Sequence, residues 1–379
     1  TSTYFCAQGE NFMRYNLKPD QQVLITTDSP SYRNMYESSI ISVDKDMLCI
    51  AMPYYNGVHV PLNVGFVLKL RINTGDDIVS FTGEILYRNV SRRCFFLRLP
   101  DQNDIQLTKA SNRCKFITVT SGKGGVGKSC FAVNYAIALS KLGKKVLLFD
   151  ADLGMANLDV LLKCNTKYNI VDFIDGRKTI DEVISQAPGG IDFIAGGSGI
   201  QKLASLNVDQ LNRISIGFTF LQSTYDYVIF DTGAGLSKNV TNFIHSSDET
   251  IIVTTPEPHA ITDAYAIIKV ALEQERDITL KLLVNKCATP AEGAEVLNRI
   301  INVVKDFLDY SIESVGIIPE SRFVPRSVRE QSPYVLAYPS SDVSLILNEL
   351  AEREINDFAE EEENPWRFKG FASKFISLF

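Results

Sequence analysis

The sequence predicts an α/β fold with a mainly parallel, doubly wound sheet, preceded by a small all-β, barrel-like domain. Three observations carry this expectation: a change of grammar near residue 112, strands alternating with helical segments beyond it, and a glycine-rich run with the spacing G-x-x-x-x-G-K-[ST] where the change occurs. At 379 residues the chain is long enough for two domains and a sizeable core. The expected division is a β-domain over 1–112, an α/β domain over 113–360, and an acidic spacer with a terminal amphipathic helix over 361–379.

In the first region short alternating strands are expected at Val23 to Thr26, Ser39 to Val43, Met47 to Met52, Phe66 to Ile72, Ile78 to Arg88 and Cys94 to Leu99. Turn residues separate them at Asp44-Lys45-Asp46, Asn56-Gly57 and Asn73-Thr74-Gly75-Asp76. Many short strands joined by turns close most readily as a small barrel or sandwich.

From Lys115 onward apolar strands recur at Phe116 to Val119, Lys145 to Phe149, Tyr227 to Phe230, Thr250 to Thr254, Leu280 to Val284 and Ser314 to Ile318. Helical segments such as Ser129 to Leu142 and Ile261 to Leu272 fill the gaps. In such sheets ligands sit at the carboxyl ends of the strands. The run Ser121-Gly122-Lys123-Gly124-Gly125-Val126-Gly127-Lys128-Ser129 stands at one of these ends, between a strand and a helix. Its glycines let backbone N–H groups turn inward around phosphates, Lys128 neutralises phosphate oxygens, and Ser129 can reach a magnesium ion. A plain strand-to-helix turn has no need of Lys-Ser at those offsets. The expected class is therefore a P-loop NTPase.

Two more strand ends carry acids. Asp150 and Asp152 follow Val146-Leu147-Leu148-Phe149, one residue apart and so on a common face, which places one near a metal and the other near an attacking water. Asp231 follows Tyr227-Val228-Ile229-Phe230 and has Gly233 and Gly235 behind it, the arrangement of a carboxylate held beside magnesium by a buried strand.

The spelling Lys123-Gly-Gly-Val-Gly-Lys128, with Asp150 to Asp159, Asp231-Thr-Gly-Ala-Gly-Leu236 and Thr254-Thr-Pro-Glu-Pro258, resembles the MinD/ParA group of ATPases and within it the FlhG (YlxH, FleN) family of flagellar number regulators, over about residues 115–379. That resemblance implies an ATP and Mg2+ cofactor set, with Gly122, Gly124, Gly125, Val126, Gly127, Lys128, Ser129 and Cys130 around the phosphates. It gives Lys123 the phosphates of a partner subunit in an ATP sandwich dimer, Asp152 the attacking water, and Ser129, Asp150 and Asp231 the metal. Asn285 and Pro319 match the places where relatives contact adenine, and ordinary turn residues would stand there equally well. Cys130 departs from the polar residue usual after the loop serine. Residues before 112 are similar, over about 90 residues, to the N-terminal domain of YcgR-type flagellar brake proteins. Arg88 and Arg92 have the R-x-x-x-R spacing of a cyclic di-GMP site, yet no second motif follows, so no binding of that ligand is expected.

The implied function is an ATP-dependent, dimerising ATPase switch for flagellar number, placement and assembly, with an FlhF-like GTPase and switch-ring proteins as partners. Division-site placement of the MinD kind and DNA segregation of the ParA kind are the alternatives. A net charge of −7 argues against a surface devoted to nucleic acid. Seven scattered cysteines without C-x-x-C suit a reducing cytoplasm rather than a disulfide framework and argue against an iron–sulfur carrier of this class. His59, His245 and His259 show no metal or triad spacing. At the end of the chain Phe368, Phe371, Ala372, Phe375, Ile376, Leu378 and Phe379 share one helical face, with Arg367, Lys369 and Lys374 on the other. This pattern fits an interfacial helix, 366–379, on an anionic membrane, and also a helix docked on the protein's own core; the former is the expectation, with a location on the cytoplasmic face. The tail is expected to fold back when ATP is absent.

Overall fold

Among the described residues before 113, alternation produces nine strands: β1 (Gln22–Thr27), β2 (Met35–Asp44), β3 (Met47–Ala51), a small hairpin of β4 (Tyr54–Tyr55) and β5 (Val58–His59), β6 (Val67–Asn73), β7 (Asp77–Asn89), β8 (Cys94–Arg98) and β9 (Gln106–Lys109). The computed structural model describes residues 17–27, 35–44, 47–55, 58–74, 77–100, 104–109, 114–152, 158–197, 206–361 and 371–378. Parts of the expected turns at 45–46, 56–57 and 75–76 lie outside the described residues. Six strands run in the antiparallel order β6-β1-β2-β3-β8-β7, and β7 pairs again with β6, so the sheet closes into a barrel. Closure removes free edges. The 13-residue β7 serves both neighbours, pairing β6 from Ile78 to Glu84 and β8 from Ile85 to Asn89, with a bulge between Ile85 and Tyr87. Val23, Ile25, Leu48, Ile50, Leu68, Leu70, Phe95 and Leu97 fill the interior.

The second half begins with β10 (Lys115–Ser121), α1 (Lys128–Lys141) and β11 (Val146–Ala151). Short helices α2 (Leu158–Leu162), α3 (Ile170–Ile174) and α4 (Ile180–Val183) follow, then β12 (Ile184–Ala187) and β13 (Ile191–Ile194), which were not expected. Next come α5 (Val208–Gln222), β14 (Tyr227–Ala234), α6 (Lys238–Ser246), β15 (Glu249–Thr254), α7 (Pro258–Gln274), β16 (Leu280–Cys287), α8 (Pro290–Leu308) and β17 (Glu313–Pro319). The chain ends in α9 (Phe323–Glu330), α10 (Tyr334–Ala337), α11 (Asp342–Glu361) and α12 (Phe371–Ser377). The chain forms two compact units, one of 1–113 with 176–179 and 207–224, the other of 114–175, 180–206 and 225–379. Helix α5 therefore belongs with the barrel: Arg71 lies 4.6 Å over the Phe220 ring and donates to the Ser223 carbonyl at 3.3 Å.

Among the described residues of the larger unit eight strands run in the order β12-β13-β11-β14-β10-β15-β16-β17, with the β12–β13 pair antiparallel and the others parallel. Strands β10, β11 and β15 are buried along their whole length, as a sheet covered on both faces requires. Residues of α1, α10 and α11 pack on one face, and residues of α6, α7 and α8 on the other. The order brings β11, β14 and β10 side by side, so the glycine-rich run, Asp150 and Asp231 meet at neighbouring carboxyl ends.

The tail takes the docked arrangement. Phe371 and Phe375 of α12 are buried, with Phe371 stacked on Phe116 at 4.5 Å and on Phe230 at 4.9 Å, and Phe375 set 5.1 Å from Phe243 of α6. Residues 362–370, Trp366 among them, lie outside the described residues. Among the described residues no helix is long and apolar enough to cross a membrane.

Candidate functional site

The glycine-rich run begins where β10 leaves the sheet. Gly122 is needed there because a Cβ would collide with the backbone of Asp263 in α7. Gly125 and Gly127 have φ of 82 and 95, the left-handed region that favours glycine, and they wind the loop back on itself. Gly127 caps α1 without any side-chain bond to the first turn, so the N–H groups there stay available to an anion.

Lys128, buried at the start of α1, donates to Asp231 Oδ1 at 2.7 Å and to Ser129 Oγ at 3.3 Å. Burial pushes the Asp231 carboxyl above its usual range, against the opposing effect of Lys128 and a hydrogen bond with Ser129. Burial also pushes Asp150 up, to about 7, with the Asp231 charge acting in the same direction. Two backbone N–H groups, of Asp152 at 3.1 Å and Leu158 at 3.3 Å, donate to the Asp150 carboxylate and partly offset this. The Asp152 carboxylate faces Gly233, where a Cβ would lie 3.3 Å from Oδ1.

These groups line one cleft of about 680 Å3, which holds Gly124, Gly125, Gly127, Lys128, Ser129, Cys130, Asp150, Asp152, Asp231 and Gly233. A second cavity of about 620 Å3 shares Gly127 and Cys130 with it and is lined by Asn285, Lys286, Pro319 and Tyr334. The pair suits a polyphosphate in the first and a flat apolar group in the second. Among the described residues no group of three His, Cys, Asp or Glu could hold a metal unaided. Ser129, Asp150 and Asp231 nevertheless fit magnesium, which keeps water and phosphate oxygens in its shell and needs few protein ligands.

Three of the expected site residues do not line either cavity. Lys123 is turned outward: its Nζ pairs with Glu257 Oε2 at 2.6 Å, and both side chains are substantially exposed. Val126 is a core side chain that offers the loop only its backbone, and Gly122 lies against α7 instead of lining either cavity. The Asn285 amide is engaged with the Val126 carbonyl at 2.8 Å while its side chain also borders the second cavity. Sequence reasoning did not single out Glu257 and Lys286, whose side chains contact the loop at Lys123 and at the Gly125 carbonyl. Glu257 lies just past β15 and Lys286 near the end of β16, positions at the carboxyl ends of apolar strands.

Residues 114–282 match the AAA domain family, and residues 18–100 match the family described as flagellar protein YcgR. Over 237 residues the chain is 36% identical to the antiactivator FleN of Pseudomonas aeruginosa, covering 62% of this chain and 85% of that protein. The flagellum site-determining protein YlxH of Helicobacter pylori is 37% identical over 238 residues, covering 62% and 80%. The chain belongs to the FleN/YlxH family of MinD/ParA-type ATPases. As a FleN/YlxH-family ATP-binding protein it carries a YcgR-like barrel ahead of its ATPase fold. That ATPase fold is shared with MinD of Pyrococcus horikoshii, solved with Mg-ADP, at TM-score 0.54 and 24% identity over 65% of this chain and 97% of that one. A chain of the MinC:MinD complex of Aquifex aeolicus matches at TM-score 0.52 and 28% identity, covering 64% and 96%.

Proposed function

We propose that this FleN/YlxH-family protein is an ATP-driven dimerisation switch that acts at the membrane to regulate flagellar number, placement and assembly. The observation that carries the reading is the division of labour between two lysines of one loop: Lys128 faces the buried carboxylates of the cleft, while Lys123 is turned out of it onto Glu257. A lysine displayed outward beside a phosphate loop is placed to serve a second subunit.

Ser129, Asp150 and Asp231 would hold magnesium, which when bound supplies positive charge against the phosphate oxygens. Lys128 exchanges its bond to Asp231 for the terminal phosphates, freeing that carboxylate for the metal side. Asp152 orients the attacking water, and Lys123 leaves Glu257 for the nucleotide of the partner. The N–H groups at the start of α1 stabilise the negative charge throughout.

The docked tail supports a nucleotide-dependent location. Released, α12 would present Phe371 and Phe375 with Lys374 to an anionic lipid surface on the cytoplasmic face. One such helix binds weakly, and two on one dimer gain roughly a hundredfold from the intramolecular second contact. The Helicobacter pylori relative is named a flagellum site-determining protein, and the match of the barrel to the flagellar protein YcgR family supports a link to motility independently. An FlhF-like GTPase and switch-ring proteins are the partners proposed; no cyclic di-GMP site is assigned to the barrel. Counting flagella in cells lacking the gene tests the biological role: altered number or position is expected, and unchanged flagella with minicells would move the assignment to division.

A further inference from the structure

Asn285 and Lys286, at the end of β16, sit behind the phosphate loop. Asn285 Nδ2 donates to the Val126 carbonyl at 2.8 Å, and Lys286 Nζ donates to the Gly125 carbonyl at 2.6 Å. Two consecutive side chains thus hold two consecutive carbonyls of a loop some 160 residues away in sequence. In a trans peptide the C=O and the following N–H point in opposite directions. Drawing the Gly125 carbonyl to Lys286 therefore turns the Val126 N–H to the other side of the loop, and drawing the Val126 carbonyl to Asn285 does the same for Gly127. Two donors are thereby set for an anion without help from the ligand.

The backbone beneath them is built for this. Consecutive residues of a regular strand point to opposite faces, so Asn285 and Lys286 could not both reach one loop. Between Val284 and Cys287, however, the pairing with β17 shifts register, because Val284 faces Ile317 and Cys287 faces Pro319. One extra residue is accommodated, and such bulges re-aim side chains. Lys286 itself has φ 55, a left-handed conformation unfavourable to any residue with a Cβ. The contact is also close: a Cβ on Gly127 would collide with Asn285 Nδ2.

We propose that Asn285 and Lys286 form a carbonyl clamp that preorganises the phosphate loop for a polyphosphate, with Lys286 a positioning residue that acts through the backbone. This rests on the nucleotide-binding reading above and deepens it. Because the clamp acts on the phosphate end, it differs from a base contact in what it should affect.

The test is displacement of fluorescent ADP from the full chain, with magnesium, by unlabelled ADP and by inorganic pyrophosphate. Wild type, Lys286→Met and Lys286→Arg are compared, with thermal melting recorded for each. Lys286→Met is expected to weaken both ligands alike, by roughly threefold to tenfold, and Lys286→Arg to recover most of the loss at an unchanged melting temperature. A Lys286→Met chain that binds pyrophosphate as wild type does overturns the clamp while leaving the nucleotide site standing. A wild-type chain that binds neither ligand overturns the nucleotide reading and the clamp with it.

Discussion

The Phe371 ring stacks on Phe230 with centroids 4.9 Å apart, and Phe230 is the residue immediately before Asp231. The tail helix thus rests on the strand that presents the carboxylate paired with Lys128. Helix α6 joins the two places as well: Ser237, Asn239 and Val240 border the phosphate cleft, and Phe243 lies 5.1 Å from Phe375. On the proposed switch, a shift of Asp231 or α6 when Lys128 changes partner would reach the place where α12 docks.

Removing the dock without touching the tail should release it. Phe243→Ala is expected to lower stability by about 3 kcal/mol and to make the full chain pellet with anionic vesicles in ADP as wild type does in ATP. Deleting 366–379 should abolish pelleting in both. Unchanged sedimentation of Phe243→Ala in ADP would argue against tail release as the control.

Lys128→Ala leaves Asp231 buried without its cation. Breaking a buried pair from one side destabilises by about 3–5 kcal/mol unless the carboxyl takes up a proton. Chemical denaturation should show a loss of this order, relieved in Lys128→Ala/Asp231→Asn, and calorimetry should show no nucleotide binding by either variant.

Asp150 sets a pH dependence of the ligand-free chain. Its folded pKa, about 7, lies above the unfolded value of 3.8, so between those values the folded state holds a proton that the unfolded state has lost. This contribution to stability is full below pH 4, falls as pH rises, and is gone above pH 7, with a slope of at most about 1.4 kcal/mol per pH unit. Denaturation midpoints across that range, compared between wild type and Asp150→Asn, should show the slope reduced in the variant.

On the proposed mechanism Asp152 acts on the water and not in binding. Asp152→Ala is expected to reduce turnover by roughly a hundredfold while ATP still binds, holding the chain in its ATP-bound state. Equal turnover in Asp152→Ala would remove this residue from the chemistry.

The phosphate loop was legible in the sequence because its requirements are local: Gly122, Gly127, Lys128 and Ser129 must stand at fixed spacings between a strand and a helix. Asp150 and Asp231 were legible for the same reason, since an acid closing an apolar strand of a parallel sheet falls at the ligand-binding edge. Lys123 pairs with Glu257, 134 residues on, and no spacing encodes that bond. The Asn285–Lys286 bonds escaped notice because they depend on a one-residue bulge, which leaves no compositional mark. Helix α5 follows β13 in chain order yet packs with the barrel through Phe220 and Arg71, a choice of partner that periodicity does not report. The tail shows the limit most simply. An apolar face of Phe371, Ala372 and Phe375 suits lipid and protein alike, and the docked helix buries it against Phe116, Phe230 and Phe243.

The mass of the purified chain with a nonhydrolysable ATP analogue and magnesium, measured by sedimentation velocity, tests the switch most directly. Wild type is expected to sediment as a dimer with the analogue and as a monomer with ADP, and Lys123→Ala as a monomer with both. A wild-type chain that stays monomeric with the analogue at concentrations far above any cellular level would contradict the proposed mechanism.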